Sequence, residues 1–344
     1  MEGITNTLDL ITDTILKHLS PSDRSEAMTN AMANDHMRIA VLVPCYNEAT
    51  TIAAVVRDFQ SALPQATVYV YDNNSNDDSA ANARSAGATV RKQPLQGKGH
   101  VVQRMFADVE ADVYVLVDGD DTYDAGAAPR LIERLLRERL DMVNAARATT
   151  SGDAYRTGHR FGNWMLTSLV GAMFGHRFND MLSGYRVFSR RFVKSFPALA
   201  QGFEIETELT VHALELNLPV DEVPTAYKER PPGSTSKLNT YSDGARILLT
   251  IARLLKAERP FGFFATVAGI FALLGLLLAV PLLQTYWETG LVPRFPTAFL
   301  IVGLMVLSAL SLASGLILNT VTQGRRELKR LAYLQLKSVG YDAE

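Results

Sequence analysis

Residues 112–121 read Asp-Val-Tyr-Val-Leu-Val-Asp-Gly-Asp-Asp. An unbroken apolar run of this kind is what a parallel strand buried on both faces requires. Its closing carboxylates, Asp118, Asp120 and Asp121, are hard to explain as surface decoration. Working outward, Arg38–Pro44 (RIAVLVP) and Thr67–Asp72 (TVYVYD) follow the same rule, and Thr89–Lys92 and Asp141–Ala145 give shorter strands. Helical patterns separate them over Thr50–Leu63, Ser79–Ala86 (ended by Gly87), Gly99–Val109 and Pro129–Glu138. Strictly alternating strands and helices predict a doubly wound α/β sheet with mostly parallel strands. Ligands of such sheets lie beyond the carboxyl ends of the strands. That rule gathers Pro44-Cys45-Tyr46-Asn47-Glu48, Asp72-Asn73-Asn74-Ser75 and Asp118-Gly119-Asp120-Asp121 into one crevice.

Composition adds a second region. The chain has 344 residues and a formal net charge of −2, which speaks against a nucleic-acid-binding protein and against disorder. Its apolar residues are unevenly spread: Gly262–Tyr286 and Phe295–Gln323 contain no Asp, Glu, Lys or Arg. Each is long enough to cross a bilayer, so two spans are expected, at about 262–286 and 296–320. Arg253, Lys256 and Arg259 precede the first span and Arg325, Arg326, Lys329 and Arg330 follow the second, against Arg294 alone between them. By the positive-inside rule the remainder of the chain and both termini are cytoplasmic, in an integral protein of the cell (inner) membrane.

The first residues, 1–36, lack the charged and apolar regions of a signal peptide and read as an N-terminal extension, with Leu8, Ile11, Ile15 and Leu19 at helical spacing. Further along, Phe161, Trp164, Met165, Leu169, Met173 and Phe174 form an apolar helical face. A second such face, Ile247, Leu248, Ile251, Leu254 and Leu255, runs straight into the first span and reads as interfacial. The expected organisation is therefore a catalytic domain over 37–239, an amphipathic helix over 240–260, two spans within 261–324 and a basic tail over 325–344. The lone cysteine, Cys45, cannot form an intramolecular disulfide and reads as a small buried hydrophobe.

Asp118 and Asp120, two residues apart at a strand end, can share a hard divalent cation, Mg2+ or Mn2+, that also holds phosphate oxygens. Such a cation would neutralise charge on a diphosphate as a glycosidic bond breaks. An acidic turn capping the next helix is the alternative. Gly97-Lys98-Gly99 is not a Walker loop, but its place between strand and helix lets backbone N–H groups and Lys98 meet phosphate. Glu204, Glu206 and Glu208 alternate and then run into a helix; on a strand-like segment they would share one face and one could orient Arg186 or the acceptor-site loop, and capping of the following helix is the alternative.

In this order, Pro44-Cys45-Tyr46-Asn47-Glu48, Asp72 with Asn74-Ser75, Gly97-Lys98-Gly99, Asp118-x-Asp120 and Asp180-x-x-Ser183-Gly184-Tyr185-Arg186 resemble the family 2 glycosyltransferases of GT-A fold. Within that family the chain is similar to the polyprenyl-phosphate glycosyltransferases. The resemblance implies transfer of a sugar, with inversion, from a nucleotide-sugar donor to a polyprenyl-phosphate lipid. It also implies that Pro44, Tyr46, Glu48, Asn74 and Gly119 line the nucleotide site, that Asp72 accepts hydrogen bonds from the base, usually uracil, and that Lys98 lies near the phosphates. Asp118 and Asp120 match the metal motif, with Asp120 the direct ligand, and Asp180 matches the carboxylate on the acceptor side. Arg230-Pro-Pro-Gly-Ser-Thr-Ser236-Lys237 looks like an Arg-x-x-Gly-x-Ser-Lys segment, so Arg186, Arg230, Ser236 and Lys237 are the expected acceptor-phosphate ligands.

A phosphate monoester has its second pKa near 6 and is already ionised at neutral pH, so Asp180 is expected to hold Arg186 or orient the sugar instead of serving as a base. Two departures stand out: Asn73-Asn74 where many relatives have Asp-Gly, and Asp121-Thr122-Tyr123 after the metal motif where Leu-Gln is common. The competing readings are a polysaccharide synthase, which usually carries a Gln-x-x-Arg-Trp motif that this chain lacks, and a non-catalytic membrane adaptor with a retained nucleotide fold. A dinucleotide oxidoreductase is excluded by the absence of a glycine-rich turn after the first strand. Gly269, Gly275, Gly303 and Gly315 suit close helix contact, either within one hairpin or between copies in a homo-oligomer.

Overall fold

The first strand, β1 (Ile39–Cys45), is buried along its whole length. Ile39, Val41, Val43 and Cys45 point into one core, and Ala40 and Leu42 into another, the two-residue alternation of a strand covered on both faces. A computed structural model of the chain describes residues 37–148, 168, 171, 178–202, 204–228, 256 and 259–338. The expectations for the N-terminal extension, for the apolar faces at 161–174 and 247–255, and for Arg230, Ser236 and Lys237 lie outside the described residues.

Around β1 the chain builds α1 (Ile52–Ala62), β2 (Thr67–Asp72), α2 (Ser79–Ser85), β3 (Thr89–Lys92), α3 (Lys98–Asp108), β4 (Val113–Leu116), α4 (Ala128–Arg137) and β5 (Met142–Ala148). Next come β6 (Arg186–Ser189), α5 (Arg190–Ser195), α6 (Ile205–Glu215) and β7 (Val220–Ala226). They form one seven-stranded sheet in the order β3-β2-β1-β4-β6-β5-β7. Pairings β1–β2, β1–β4, β2–β3 and β5–β7 are parallel, whereas β6 runs antiparallel to both β4 and β5. Helices α1 and α4 cover one face through Ile52, Phe59, Leu131 and Leu135. Helices α3, α5 and α6 cover the other through Val101, Met105, Phe192 and Leu209. The parallel strands through β5 follow the sequence reading; β6 and β7 escaped it, because Arg186 and two acidic residues interrupt their apolar pattern.

The chain then enters two long helices, α7 (Pro260–Thr289) and α8 (Phe295–Leu334), joined by a short turn at Gly290 in the left-handed conformation. By length and composition both are apolar enough to cross a membrane. They pack along each other as a hairpin, with Ser308 Oγ donating to Ala268 O at 2.9 Å. Gly275 and Gly315 face the opposite helix of the hairpin, beside Met305 and Phe264 respectively, whereas Gly269 and Gly303 face open space. Helix α8 does not stop at the charged residues 325–330 but continues to Leu334.

Candidate active site

Three strands end in the same kind of corner. Past the ends of β1, β2 and β4, Asn47, Asn74 and Asp121 adopt φ of 52°, 63° and 56°. Asn and Asp tolerate this left-handed region better than other non-glycine residues, and clusters of such corners characterise functional sites. The corners are tied to one another: Asn73 N donates to Cys45 O (2.9 Å), Asn47 N to Ser75 Oγ (3.0 Å) and Asn76 N to Asn47 Oδ1 (2.8 Å). Buried Asn73 also reaches the next loop, donating to Gln93 O and Leu95 O and accepting from Gly97 N. What the sequence presented as a departure from its relatives is a staple between two loops.

On the β4 corner, Asp120 is buried and accepts from Thr122 Oγ1 at 2.6 Å. Asp118 is half-open and accepts from Lys98 Nζ at 2.5 Å; the same ammonium also pairs with Glu206. Burial alone would lower the Lys98 ammonium, but the two carboxylates outweigh it and hold its pKa above the usual lysine range. Gly184 lies directly under Asp118, where a Cβ would come within 2.2 Å of Asp118 Oδ2. Beneath the strand ends, burial pushes the Cys45 thiol up, as suits a packed hydrophobe.

Of the two readings of the glutamates, the structure favours the start of a helix over a shared strand face: Glu206 and Glu208 lie in the first turn of α6. Glu206 meets Lys98, and Glu208 accepts from the backbone N–H groups of Leu199 and Ala200. The backbone of Gly97-Lys98-Gly99 does not present open N–H groups at both glycines: Gly97 N donates to Asn73 Oδ1 and Gly99 N to Gln201 O. The second glycine is needed because a Cβ at Gly99 would come within 2.1 Å of Ala200 O.

Across the crevice stands Asp180, only 6% exposed. Arg147, at the end of β5, grips it with Nε to Oδ2 and Nη2 to Oδ1, both at 2.7 Å, and with its backbone N at 3.1 Å. Desolvation would raise the Asp180 carboxyl, but the Arg147 bonds prevail and hold it below the usual carboxylate range. Behind this pair Glu222 accepts from Asn179 N, Asn179 Nδ2, Asn144 Nδ2 and Asp180 N, at 2.9 to 3.1 Å. The expected partner of Asp180 was Arg186; the partner found is Arg147, which the sequence reading did not single out. Arg186 is a correction as well. It sits on the central strand β6, 1% exposed, donating to Ser183 O, Met181 O and Thr210 Oγ1. Burial pushes its pKa down to about 10, which still leaves it charged at neutral pH. So placed, it braces the 181–186 loop from within the sheet.

An aromatic ladder connects the two sides. Tyr123, just past the acidic corner, accepts from Gly184 N at 2.8 Å and packs edge-on against Tyr185 and Tyr227. The Arg147 guanidinium lies 5.6 Å over the Tyr227 ring. Thr122 and Tyr123, the second departure noted in the sequence, therefore hold Asp120 and the Asp118 floor in place.

The family model described as Glycosyl transferase family 2 matches residues 40–196. Over 243 residues the chain is 33% identical to glycosyltransferase AglJ of Haloferax volcanii, covering 70% of this chain and 80% of that one. The chain belongs to glycosyl transferase family 2. A dolichyl-phosphate hexose transferase of the same organism is 27% identical over 221 residues, 64% of this transferase and 95% of its own length. Among solved structures, glucosyl-3-phosphoglycerate synthase from Mycobacterium tuberculosis in complex with Mn2+, UDP-glucose and phosphoglyceric acid superposes with a TM-score of 0.52 at 25% identity, over 65% of this transferase and 81% of the synthase. The sheet is accordingly a GT-A sheet, and the corners of β1, β2 and β4 lie beyond the carboxyl ends of its parallel strands, where sheets of this kind bind ligands.

Proposed function

We propose that this transferase moves a sugar, with inversion, from a nucleotide sugar (UDP-linked) to a polyprenyl phosphate of undecaprenyl or dolichyl type at the cytoplasmic face of the inner membrane. One observation carries the reading: the domain that bears Asp118, Asp120 and the Arg147–Asp180 pair continues into a hairpin of two membrane-length apolar helices, and α8 returns to touch that same domain. Similarity to the dolichyl-phosphate hexose transferase supports the acceptor, and the Mn2+ and UDP-glucose of the solved synthase support a divalent metal and a nucleotide-sugar donor.

The carboxylates suit a hard cation, Mg2+ or Mn2+. Asp118 already holds a cation, the Lys98 ammonium, in a half-open position. Among the described residues no group of three or more His, Cys, Asp or Glu converges, so Asp118 and Asp120 would share the metal with diphosphate oxygens and water. When bound, the metal supplies charge neutralisation on the departing diphosphate. Pro44, Tyr46, Glu48, Asn74 and Gly119 line the nucleotide site, and Asp72, its carboxylate fixed by Ser75 N at 3.2 Å, accepts from the base. Lys98 exchanges Asp118 for a donor phosphate while Glu206 keeps it tethered.

Opposite, Arg147 presents the acceptor phosphate, assisted by Arg230, Ser236 and Lys237 from the segment leading to the membrane. A phosphate oxygen attacks the anomeric carbon, the bond to the diphosphate oxygen breaks, and the nucleoside diphosphate leaves. Asp180 positions Arg147 and removes no proton, because its bidentate pairing suits it poorly to act as a base and the phosphate is already ionised.

The test is transfer of radiolabelled sugar from a panel of nucleotide sugars to undecaprenyl phosphate by the purified full chain, with Mg2+, Mn2+ or EDTA. Label that enters the lipid phase only with metal is the expected result. Released nucleotide without labelled lipid overturns the acceptor, and no turnover with any donor overturns the reading as a whole.

A further inference from the structure

Helix α8 is 40 residues long, or about 60 Å, roughly twice the thickness of a bilayer core. Its last turns carry Arg325, Arg326, Lys329 and Arg330, residues that the sequence treats as a signal of orientation. In the structure two of these have particular partners on the catalytic domain. Glu215, at the end of α6 and with a side chain only 2% exposed, accepts from Arg326 Nε at 3.0 Å and Lys329 Nζ at 2.7 Å.

One turn further, Tyr333 Oη donates to Asp141 Oδ2 at 2.9 Å, and the Arg191 guanidinium lies 4.8 Å over the Tyr333 ring. Tyr333 also packs against the core that covers the α3, α5 and α6 face of the sheet. Asp141, whose side chain is fully buried, already accepts from Ser189 Oγ and both Arg191 Nε and Nη2. It immediately precedes β5, the strand whose opposite end supplies Asn144 and Arg147 to the Asp180 cluster.

Charged groups this well buried are seldom left unpaired, because an uncompensated carboxylate is costly. Among the described residues, the side chain of Glu215 is met by the end of α8 alone, and nothing in the transfer chemistry requires it. We propose that the cytoplasmic end of α8 is a strut, locked to the catalytic domain through Glu215 and Asp141, that fixes the height and tilt of the active site above the membrane. Glu215, Tyr333 and Asp141 are then positioning residues for a membrane-embedded acceptor. That consequence rests on the proposed lipid acceptor; the locked contact itself does not.

Two measurements on the full chain in lipid nanodiscs separate the two claims. In Glu215→Gln, backbone amides of residues 324–334 should exchange with solvent about tenfold faster, whereas β1, β2 and β4 keep their protection and report an intact fold. Tyr333→Phe, a milder change, should give a smaller rise in the same segment. Charge exchange, Glu215→Lys with Arg326→Glu and Lys329→Glu, should restore slow exchange. Unchanged exchange in both Glu215→Gln and Tyr333→Phe overturns the strut. In the second measurement Glu215→Gln should lose about tenfold in kcat/KM for undecaprenyl phosphate but keep the wild-type value for a short, water-soluble prenyl phosphate. Equal losses with both acceptors overturn the positioning role. Absence of transfer to either acceptor by the wild type overturns the proposed function and leaves the exchange result to decide the strut.

Discussion

The two sides of the crevice hold their carboxylates by different means. On the side proposed for the donor, Asp72 and Asp120 accept from neighbouring neutral groups, Ser75 N and Thr122, and Asp118 from Lys98, a lysine it shares with Glu206. On the acceptor side Asp180 is gripped by both arms of a guanidinium, with Glu222 anchoring the backbone behind it. A neutral turn or a lysine point charge can exchange partners cheaply, whereas a bidentate arginine pair is geometrically fixed. Under the proposed function, the donor side swaps ligands as donor and metal arrive and leave, and the acceptor side stays as it is.

The sharpest break would come from Asp120→Ala. Losing a metal-holding carboxylate removes several kcal/mol of charge stabilisation in the transition state, so kcat for transfer should fall roughly a thousandfold. The protein should still fold, because Asp120 lies in the turn past β4, outside both apolar cores. Titration calorimetry with Mn2+ and UDP, free of turnover, should show metal affinity lost together with activity. Normal Mn2+ affinity in the variant would remove Asp120 from the metal and restore the acidic turn as its explanation.

Next in size is Arg147→Ala, which should disturb both rate and stability. Removing one partner of a mostly buried pair leaves Asp180 uncompensated, at about 3 kcal/mol, and a misplaced acceptor costs about a hundredfold in rate. Because the folded Asp180 pKa is depressed, its contribution to stability is present above the unfolded value and is lost as pH falls through the folded one. The gap in melting temperature between wild type and Arg147→Ala should therefore be full at neutral pH and close below about pH 4. A gap that persists unchanged at lower pH would mean that packing, not the ion pair, was lost. In Asp180→Asn the acidic limb of kcat/KM should stay near pH 6, where the acceptor phosphate itself titrates; a limb that moves would make Asp180 the base.

The contrast between the two sides also explains what could be read from the sequence. The residues proposed for the donor side come from short contiguous motifs, and the apolar runs at 39–45, 67–72 and 113–116 put Asp72, Asp118 and Asp120 at or just past strand ends. The acceptor side is assembled from β5, the 179–186 loop and β7, and its key pair joins residues 33 positions apart. Nothing local marks Arg147, which ends a strand reading Met-Val-Asn-Ala-Ala-Arg-Ala, or Glu222, inside a strand interrupted by Asp221 and Pro224. Arg186 misled for the converse reason: it ends a recognisable motif, but antiparallel pairing on both edges of β6 carries it into the interior. The alternating glutamates at 204–208 left a strand face and a helix start both open, and the packing of Leu209, Ala213 and the rest of α6 at helical spacing against the sheet decided for the helix.

The smallest effect is the most discriminating. Glu222→Gln keeps the shape of the side chain but replaces one acceptor oxygen with an NH2 group that faces the donors Asn144 Nδ2, Asn179 N and Asp180 N. Each lost bond is worth about 1 kcal/mol, so KM for the acceptor should rise roughly five- to tenfold with kcat little changed. KM for the nucleotide sugar should not move, because the partners of Glu222 are Asn144, Asn179 and the Asp180 backbone, all on the far side of the crevice. If instead donor KM rises in step, the Tyr123–Tyr227 ladder transmits disturbance from one side to the other, and the two halves of the crevice are a single mechanical unit. A rise confined to the acceptor would mean that the ladder supports both sides without coupling them, as a site that exchanges one substrate while keeping the geometry for the other requires.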